Sequence, residues 1–165
     1  MKSVVIFYSL TGNTNLIAKS IADFIGADMI RLKPEKEIQS TGAGKYFKGG
    51  KSVLFHEKPK LMNERINLDD YDTLIIGTPI WAGSFTPPVN TLLSDYSIKG
   101  KQVYLFSTQS PGTKGEKCFS KMKEKLTDNR VKGTAEFEDV RKMSAKELDD
   151  KVKKFCRMIL EEAGN

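Results

Sequence analysis

The sequence predicts an α/β fold in three layers, a doubly wound, five-stranded parallel sheet with helices on both faces. Three observations predict it. Strand-length apolar runs alternate with segments of helical period, which argues for a parallel sheet crossed by helices. Three of the runs are nearly continuous, as in strands buried on both faces. The 165 residues hold no linker or internal repeat and suit one domain, 1–165, with one sizeable core.

Residues 3–8, SVVIFY, form the first buried strand. From 13 to 25 the period turns helical, with Ile17, Ile21 and Phe24 on one face and Leu16, Ala18, Ala22 and Ile25 widening it. Gly26 is the stop. Residues 28–33, DMIRLK, alternate and read as a shorter strand near an edge. Residues 34–68 form a glycine-rich, loop-like insert after the second strand, with no sustained period. A loop of that length is uncommon in a compact domain and tends to serve function. Short helical turns and a mobile section beside the functional site are expected there. Residues 72–79, DTLIIGTP, are the clearest buried strand. Thr86 caps the next helix, with Pro87 and Pro88 in its first turn and Val89, Leu92, Leu93 and Tyr96 at helical spacing. Residues 101–108, KQVYLFST, are another core strand. Within 115–126, Phe119, Met122 and Leu126 share a helical face. Residues 134–140, TAEFEDV, form a weaker, alternating strand suited to a sheet edge. Ser144 and Glu147 make a capping box. Leu148, Val152, Phe155, Cys156, Ile159 and Leu160 then give an amphipathic helix.

Composition narrows the function classes. Hydrophobic content of 39% and charged content of 29% are those of a soluble globular chain. No apolar run approaches the ~20 residues that span a bilayer, and the N-terminus lacks a signal-type cleavage site. A cytoplasmic protein with no membrane partner is expected. Cys118 and Cys156 match no metal or redox spacing and read as packed thiols. His56 is the only histidine, so a His-based metal site or catalytic triad would rest on it alone, in a loop-like stretch without an orienting partner. No catalytic or metal-ligating residue is assigned. Net charge is +6, from 27 basic and 21 acidic residues. Its loosest cluster is Lys45, Lys48, Lys51, Lys58 and Lys60, read as a solvated face. No nucleic-acid motif accompanies it, and no nucleic-acid partner is expected.

Three strand ends carry unusual chemistry. In a doubly wound sheet, ligands bind beyond the carboxyl ends of the strands where strand order reverses. The first end is Ser9-Leu10-Thr11-Gly12-Asn13-Thr14. Free N–H groups at a helix N-terminus bind phosphate, and these hydroxyls and the Asn13 amide add donors around a tight Gly12 turn. The loop has no Lys, so it is not a Walker A site, and it is not G-x-G-x-x-G. A single phosphate monoester held by neutral donors fits; a well-capped turn with no ligand fits too. The second end is Thr78-Pro79-Ile80-Trp81-Ala82-Gly83. Trp81, the only tryptophan, offers a flat stacking face after a strand, and the alternative is a lid on the core. The third is Thr108-Gln109-Ser110-Pro111-Gly112, running on to Gly115.

The pairing of SLTGNT with GTPIWAGSFTPPV resembles the flavodoxins, in the flavodoxin-like branch with a P-I-W-x-G second loop. The resemblance covers nearly the whole chain. It implies strand order 2-1-3-4-5 and FMN held non-covalently. By family pattern Ser9, Thr11, Gly12, Asn13 and Thr14 hold the phosphate. Thr78, Pro79, Ile80, Trp81, Ala82 and Gly83 line the isoalloxazine. Thr108, Gln109, Ser110 and Gly112 approach its other side or its pyrimidine edge.

Two departures stand out. Many flavodoxins stack a second aromatic from the third loop; this loop has none, so Tyr46, Phe47 and Phe55 of the insert are candidates for that face. Low-potential carriers are typically acidic, whereas this chain is basic. The resemblance implies electron transfer between redox protein partners by a monomer or weak dimer. The alternative is an FMN-dependent NAD(P)H:quinone-type oxidoreductase using the open flavin face, although no nicotinamide-binding motif is present. A flavin-free interaction module using the basic loop is a third class.

Overall fold

The computed structural model describes residues 2–37, 56–64 and 66–163. Five strands, β1 Ser3–Phe7, β2 Asp28–Arg31, β3 Thr73–Pro79, β4 Gln102–Gln109 and β5 Arg130–Glu138, lie in the order β2-β1-β3-β4-β5. Every neighbouring pair is parallel. The helices are α1 Asn13–Ile25, α2 Pro87–Asp95, α3 Glu116–Glu124 and α4 Ala145–Ala163. A 3-10 turn, Val140–Lys142, comes directly after β5.

The near-continuous apolar runs have their explanation in β1. Val4, Ile6 and Tyr8 face one cluster with Leu74, Ile76, Val89, Leu92, Phe119 and Met122. Val5 and Phe7 face the other, with Ile17, Ile21, Val152, Phe155 and Ile159. A strand covered on both sides favours apolar residues on both of its faces. The sheet therefore carries α2 and α3 on one face and α1 and α4 on the other. Cys118 and Cys156 are buried in these two layers. Burial pushes each thiol up to about 12, which leaves almost no thiolate near neutral pH.

Two boundaries differ from the sequence reading. The strand expected at 28–33 stops at Arg31. There the Asn63 side chain takes over the ladder, accepting from the Lys33 N–H and donating to the Arg31 carbonyl, each at 2.8 Å. The returning chain then pairs antiparallel, Pro34 against Leu61. The strand expected at 134–140 begins at Arg130 and ends at Glu138. An irregularity in the β4 register between Val103 and Tyr104 breaks its alternation. Gly133 interrupts the pattern because a Cβ there would lie 2.3 Å from Met158 Sδ.

Polar side chains on the buried first turns of α2 anchor the chain returning from the insert. The Asn90 amide donates to the His56 and Glu57 carbonyls, both at 3.1 Å, and the Thr91 hydroxyl to the Pro59 carbonyl at 2.7 Å. His56 itself is exposed. Lys58 pairs with Asp95 at 2.6 Å; Lys45, Lys48 and Lys51 lie outside the described residues, as do Tyr46, Phe47 and Phe55. Among the described residues no helix is long and apolar enough to cross a membrane.

The capping box at the start of α4 is formed. The Glu147 N–H donates to Ser144 Oγ at 3.2 Å, and the Glu147 carboxylate accepts from the Ser144 N–H and hydroxyl, both at 2.8 Å. The backbone bond first, then the hydroxyl bond, holds the Glu147 carboxyl below its usual range. A carboxyl depressed in the folded state stabilises it fully above the unfolded value and loses that contribution as pH falls through the folded one. Ser144→Ala, which removes the cap hydroxyl, is therefore expected to lower stability near neutral pH. The gap from wild type should narrow in acid, as urea unfolding at pH 7 and pH 3 would show; an equal gap at both would count against the carboxylate's part.

Candidate functional site

β1 enters the sheet's switch point beside β3, and its carboxyl end leads into α1. The chain turns at Gly12, whose φ of +96° a residue with a Cβ adopts only under strain. The Ser9 hydroxyl accepts the Gly12 N–H at 3.1 Å, so Ser9 shapes the loop from beneath. The first intrahelical bond of α1 runs from the Leu16 N–H to the Gly12 carbonyl at 2.9 Å. The N–H groups of Asn13, Thr14 and Asn15 precede it and point out of the helix end.

β3 leads into a two-residue turn. Trp81 and Ser84 exchange backbone hydrogen bonds of 2.9 Å, with Ala82 at φ +48° and Gly83 at φ +70° between them. Positive φ at both central positions is the mark of a type I′ turn. Ala82 carries the strain of that geometry, since L-residues with a Cβ disfavour it. Ala82→Gly is expected to stabilise the protein by about 0.5 kcal/mol, the strain relieved less the flexibility gained by the unfolded chain. Thermal unfolding checks this; a lower midpoint would contradict it.

Thr78 fixes the other end of this loop. Its hydroxyl accepts the Thr86 N–H at 3.1 Å and lies 3.3 Å from the Thr86 hydroxyl. Thr86 thus occupies the N-cap of α2, with prolines next in the chain, yet its side chain makes no capping bond. Trp81 is half-buried, its ring edge-on to Tyr8 at 5.9 Å and 89°. Tyr8 lies buried beneath it and donates to the Glu37 carboxylate at 3.0 Å. Burial, then the Glu37 charge, pushes the Tyr8 hydroxyl well above its ordinary pKa.

The end of β4 ties the loops together. Thr108 and Thr14 share a buried hydroxyl hydrogen bond of 2.8 Å, and the Ile80 N–H donates to the Thr108 carbonyl at 3.0 Å. Gln109 donates to Glu136 at 2.6 Å while its carbonyl accepts from Ser107 at 2.8 Å. Gly112, at φ +76°, turns the third loop back toward Glu138.

The three ends enclose one cavity of about 540 Å³. Of the residues singled out in the sequence, Thr11, Asn13 and Thr14 line it from the first loop. Pro79, Ile80, Trp81 and Ala82 line it from the second, and Thr108, Gln109 and Ser110 from the third. Ser9, Gly12, Thr78, Gly83 and Gly112 are absent from its lining; they set the loops' courses. Leu10, Pro111, Asp139 and Arg141 also line it, and sequence reasoning did not single them out as site residues. Asp139 and Arg141 come after β5, whose carboxyl end opens on the same sheet edge. A strand expected to run to 140 places position 139 inside the sheet and hides the turn that carries Arg141.

The first loop carries no charge of its own, and its sequence points to neutral donors. The fold brings two arginines to it. Arg31 donates to the Ser9 carbonyl at 2.8 Å. Arg141 donates to Asn13 Oδ1 and to the Thr11 carbonyl, both at 3.3 Å.

The family model described as Flavodoxin matches residues 2–156. The chain belongs to the flavodoxin family. No curated protein matches it significantly. Among solved structures, this flavodoxin-family chain is similar to a flavoprotein of Bacteroides uniformis, at 22% identity and TM-score 0.78 over 92% of this chain and 97% of that one. It is similar to a flavoprotein of Lactobacillus acidophilus solved in complex with FMN, at 23% identity and TM-score 0.71 over 82% and 92%. A WrbA-like flavodoxin of Agrobacterium tumefaciens matches at 14% identity and TM-score 0.60 over 95% and 94%. These likenesses support the flavodoxin fold, with its 2-1-3-4-5 order. Within it, the third loop gives the cavity only Thr108, Gln109, Ser110 and Pro111, none of them aromatic.

Proposed function

We propose that this crevice binds FMN non-covalently and that the protein carries electrons between redox partner proteins. One observation carries the reading: a cavity of about 540 Å³ has a helix N-terminus at one side and a half-buried Trp81 at another. The volume suits a ligand of FMN's size. The donor set suits its chemistry. The N–H groups of Asn13, Thr14 and Asn15 at the helix end, with the Thr11 hydroxyl, match a phosphate. Trp81 supplies a flat apolar face for a ring system. The FMN held by the Lactobacillus acidophilus flavoprotein supports the same assignment.

When bound, FMN supplies the redox chemistry, and the protein supplies binding, orientation and electrostatics. Thr78 and Thr86 brace the second loop. The Thr14–Thr108 bond fixes the phosphate end relative to the third loop. The I′ turn presents the backbone of Ala82 and Gly83 beside the Trp81 ring. A net charge of +6 favours anionic reduced flavin and anionic partners.

A second reading is an FMN-dependent NAD(P)H:quinone-type oxidoreductase. The third loop's lack of an aromatic lining residue favours it, because no ring from that loop would compete with a substrate for the flavin. The likeness to the WrbA-like protein weighs the same way. Titration of the purified protein with FMN, followed by stepwise photoreduction, tests both. No binding sinks the two readings together. Reduction in separate one-electron steps supports the carrier. Direct two-electron reduction, with fast NAD(P)H oxidation on adding a quinone, supports the oxidoreductase.

A further inference from the structure

We infer that Arg141 is an anion-binding residue that makes this crevice select phosphate-bearing flavin over phosphate-free flavin. The inference rests on the FMN reading and adds to it a charge that the first loop's own sequence lacks.

Arg141 lies just beyond β5, within the 3-10 turn Val140–Lys142, and lines the cavity. Its two hydrogen bonds go to the Asn13 side-chain oxygen and the Thr11 carbonyl, both neutral, both 3.3 Å away and both on the first loop. Among the described residues no carboxylate pairs with it. Asp139, which lines the same cavity, is paired with Lys142 at 3.1 Å, so its charge is met there. A guanidinium has five N–H donors, so two long bonds to neutral oxygens leave most of its capacity unused.

The position is unfavourable for a cation by itself. The N-terminus of α1 carries the positive end of the helix dipole, which repels a neighbouring positive charge. Arg141 is held against that end all the same. Two positive potentials converging on one end of a cavity leave the space between them suited to an anion. A terminal phosphate is the one strongly anionic group of FMN. Arg31 reaches the same loop but is absent from the cavity lining, and it lies near Tyr8 and the Glu37 carboxylate that Tyr8 bonds. Its role is to hold Ser9.

The test titrates apo wild type, Arg141→Gln and Arg141→Lys with FMN and with riboflavin, at low and high salt. Arg141→Gln should weaken FMN roughly tenfold, as the loss of one solvent-exposed, charge-assisted contact implies. It should change riboflavin affinity less than about twofold and flatten the salt dependence of FMN binding. Arg141→Lys keeps the charge and should retain most of the FMN affinity. Circular dichroism melts of the apo variants confirm that each is folded. Equal weakening of both flavins would overturn the inference, showing a loop-bracing role only, and so would no effect on either. Inorganic phosphate separates this inference from the FMN reading. If phosphate raises the melting temperature of wild type more than of Arg141→Gln while FMN fails to bind, the anion site stands and the FMN reading falls. If FMN binds and Arg141→Gln leaves its affinity unchanged, the reading stands and the inference falls.

Discussion

Gly77→Ala is expected to destabilise the protein by about 3 kcal/mol, at the upper end of ordinary overpacking costs. Gly77 sits in the middle of β3, opposite Phe106 of β4. A Cβ built on it would lie 2.1 Å from Phe106 Cζ and 2.4 Å from Cε1. The Phe106 ring lies across the strand where any other residue would put its side chain. It cannot swing aside cheaply, because it is fully buried and packs edge-on to Phe137 at 6.3 Å. Urea unfolding of the apo-protein checks the cost. Phe106→Leu should offset part of it, so that the double variant is more stable than the two single losses sum to. Simple additivity would show that the clash is relieved elsewhere.

Trp81→Ala is expected to weaken FMN binding by about 2–3 kcal/mol, roughly thirty- to a hundred-and-fiftyfold. Stacking on an aromatic face contributes on that scale for a flat heteroaromatic ring. Among the described residues, Trp81 is the one aromatic side chain that lines the cavity. The substitution also removes the edge contact with Tyr8, so some loss of apo stability accompanies it. Trp81→Phe separates the two effects. It keeps a ring in place and should lose less than half of the binding energy. Fluorescence titration with FMN is the measurement. A loss of less than about threefold in Trp81→Ala would remove Trp81 from the stacking role and leave it as a cover over Tyr8.

The first and second loops were legible because their chemistry is local. A glycine in a tight turn, short hydroxyl side chains around a helix start and a tryptophan directly after a buried strand are each visible in a few consecutive residues. Separating lining from support was not a local matter. Ser9 and Thr14 look alike in the sequence, yet Ser9 accepts the Gly12 N–H from below while Thr14 lines the cavity and bonds Thr108 across 94 residues. Thr78 likewise reads as a contact residue and turns out to brace Thr86. Gly83 gives no wall to the cavity but supplies half of the turn that Ala82 completes.

What the sequence determined by itself was periodic. Alternating and continuous apolar runs specified five strands, four helices and burial on both faces of the sheet, because burial imposes a period wherever a strand or helix meets the core. The strand order came from the motif pairing. The tertiary structure alone decided where β5 begins and ends, since its edge position, the register irregularity and Gly133 erase the period. It alone delivered Arg141 to a loop 128 residues away, because charge at a site depends on which strand ends the sheet brings to one edge, and no local spacing encodes that neighbour.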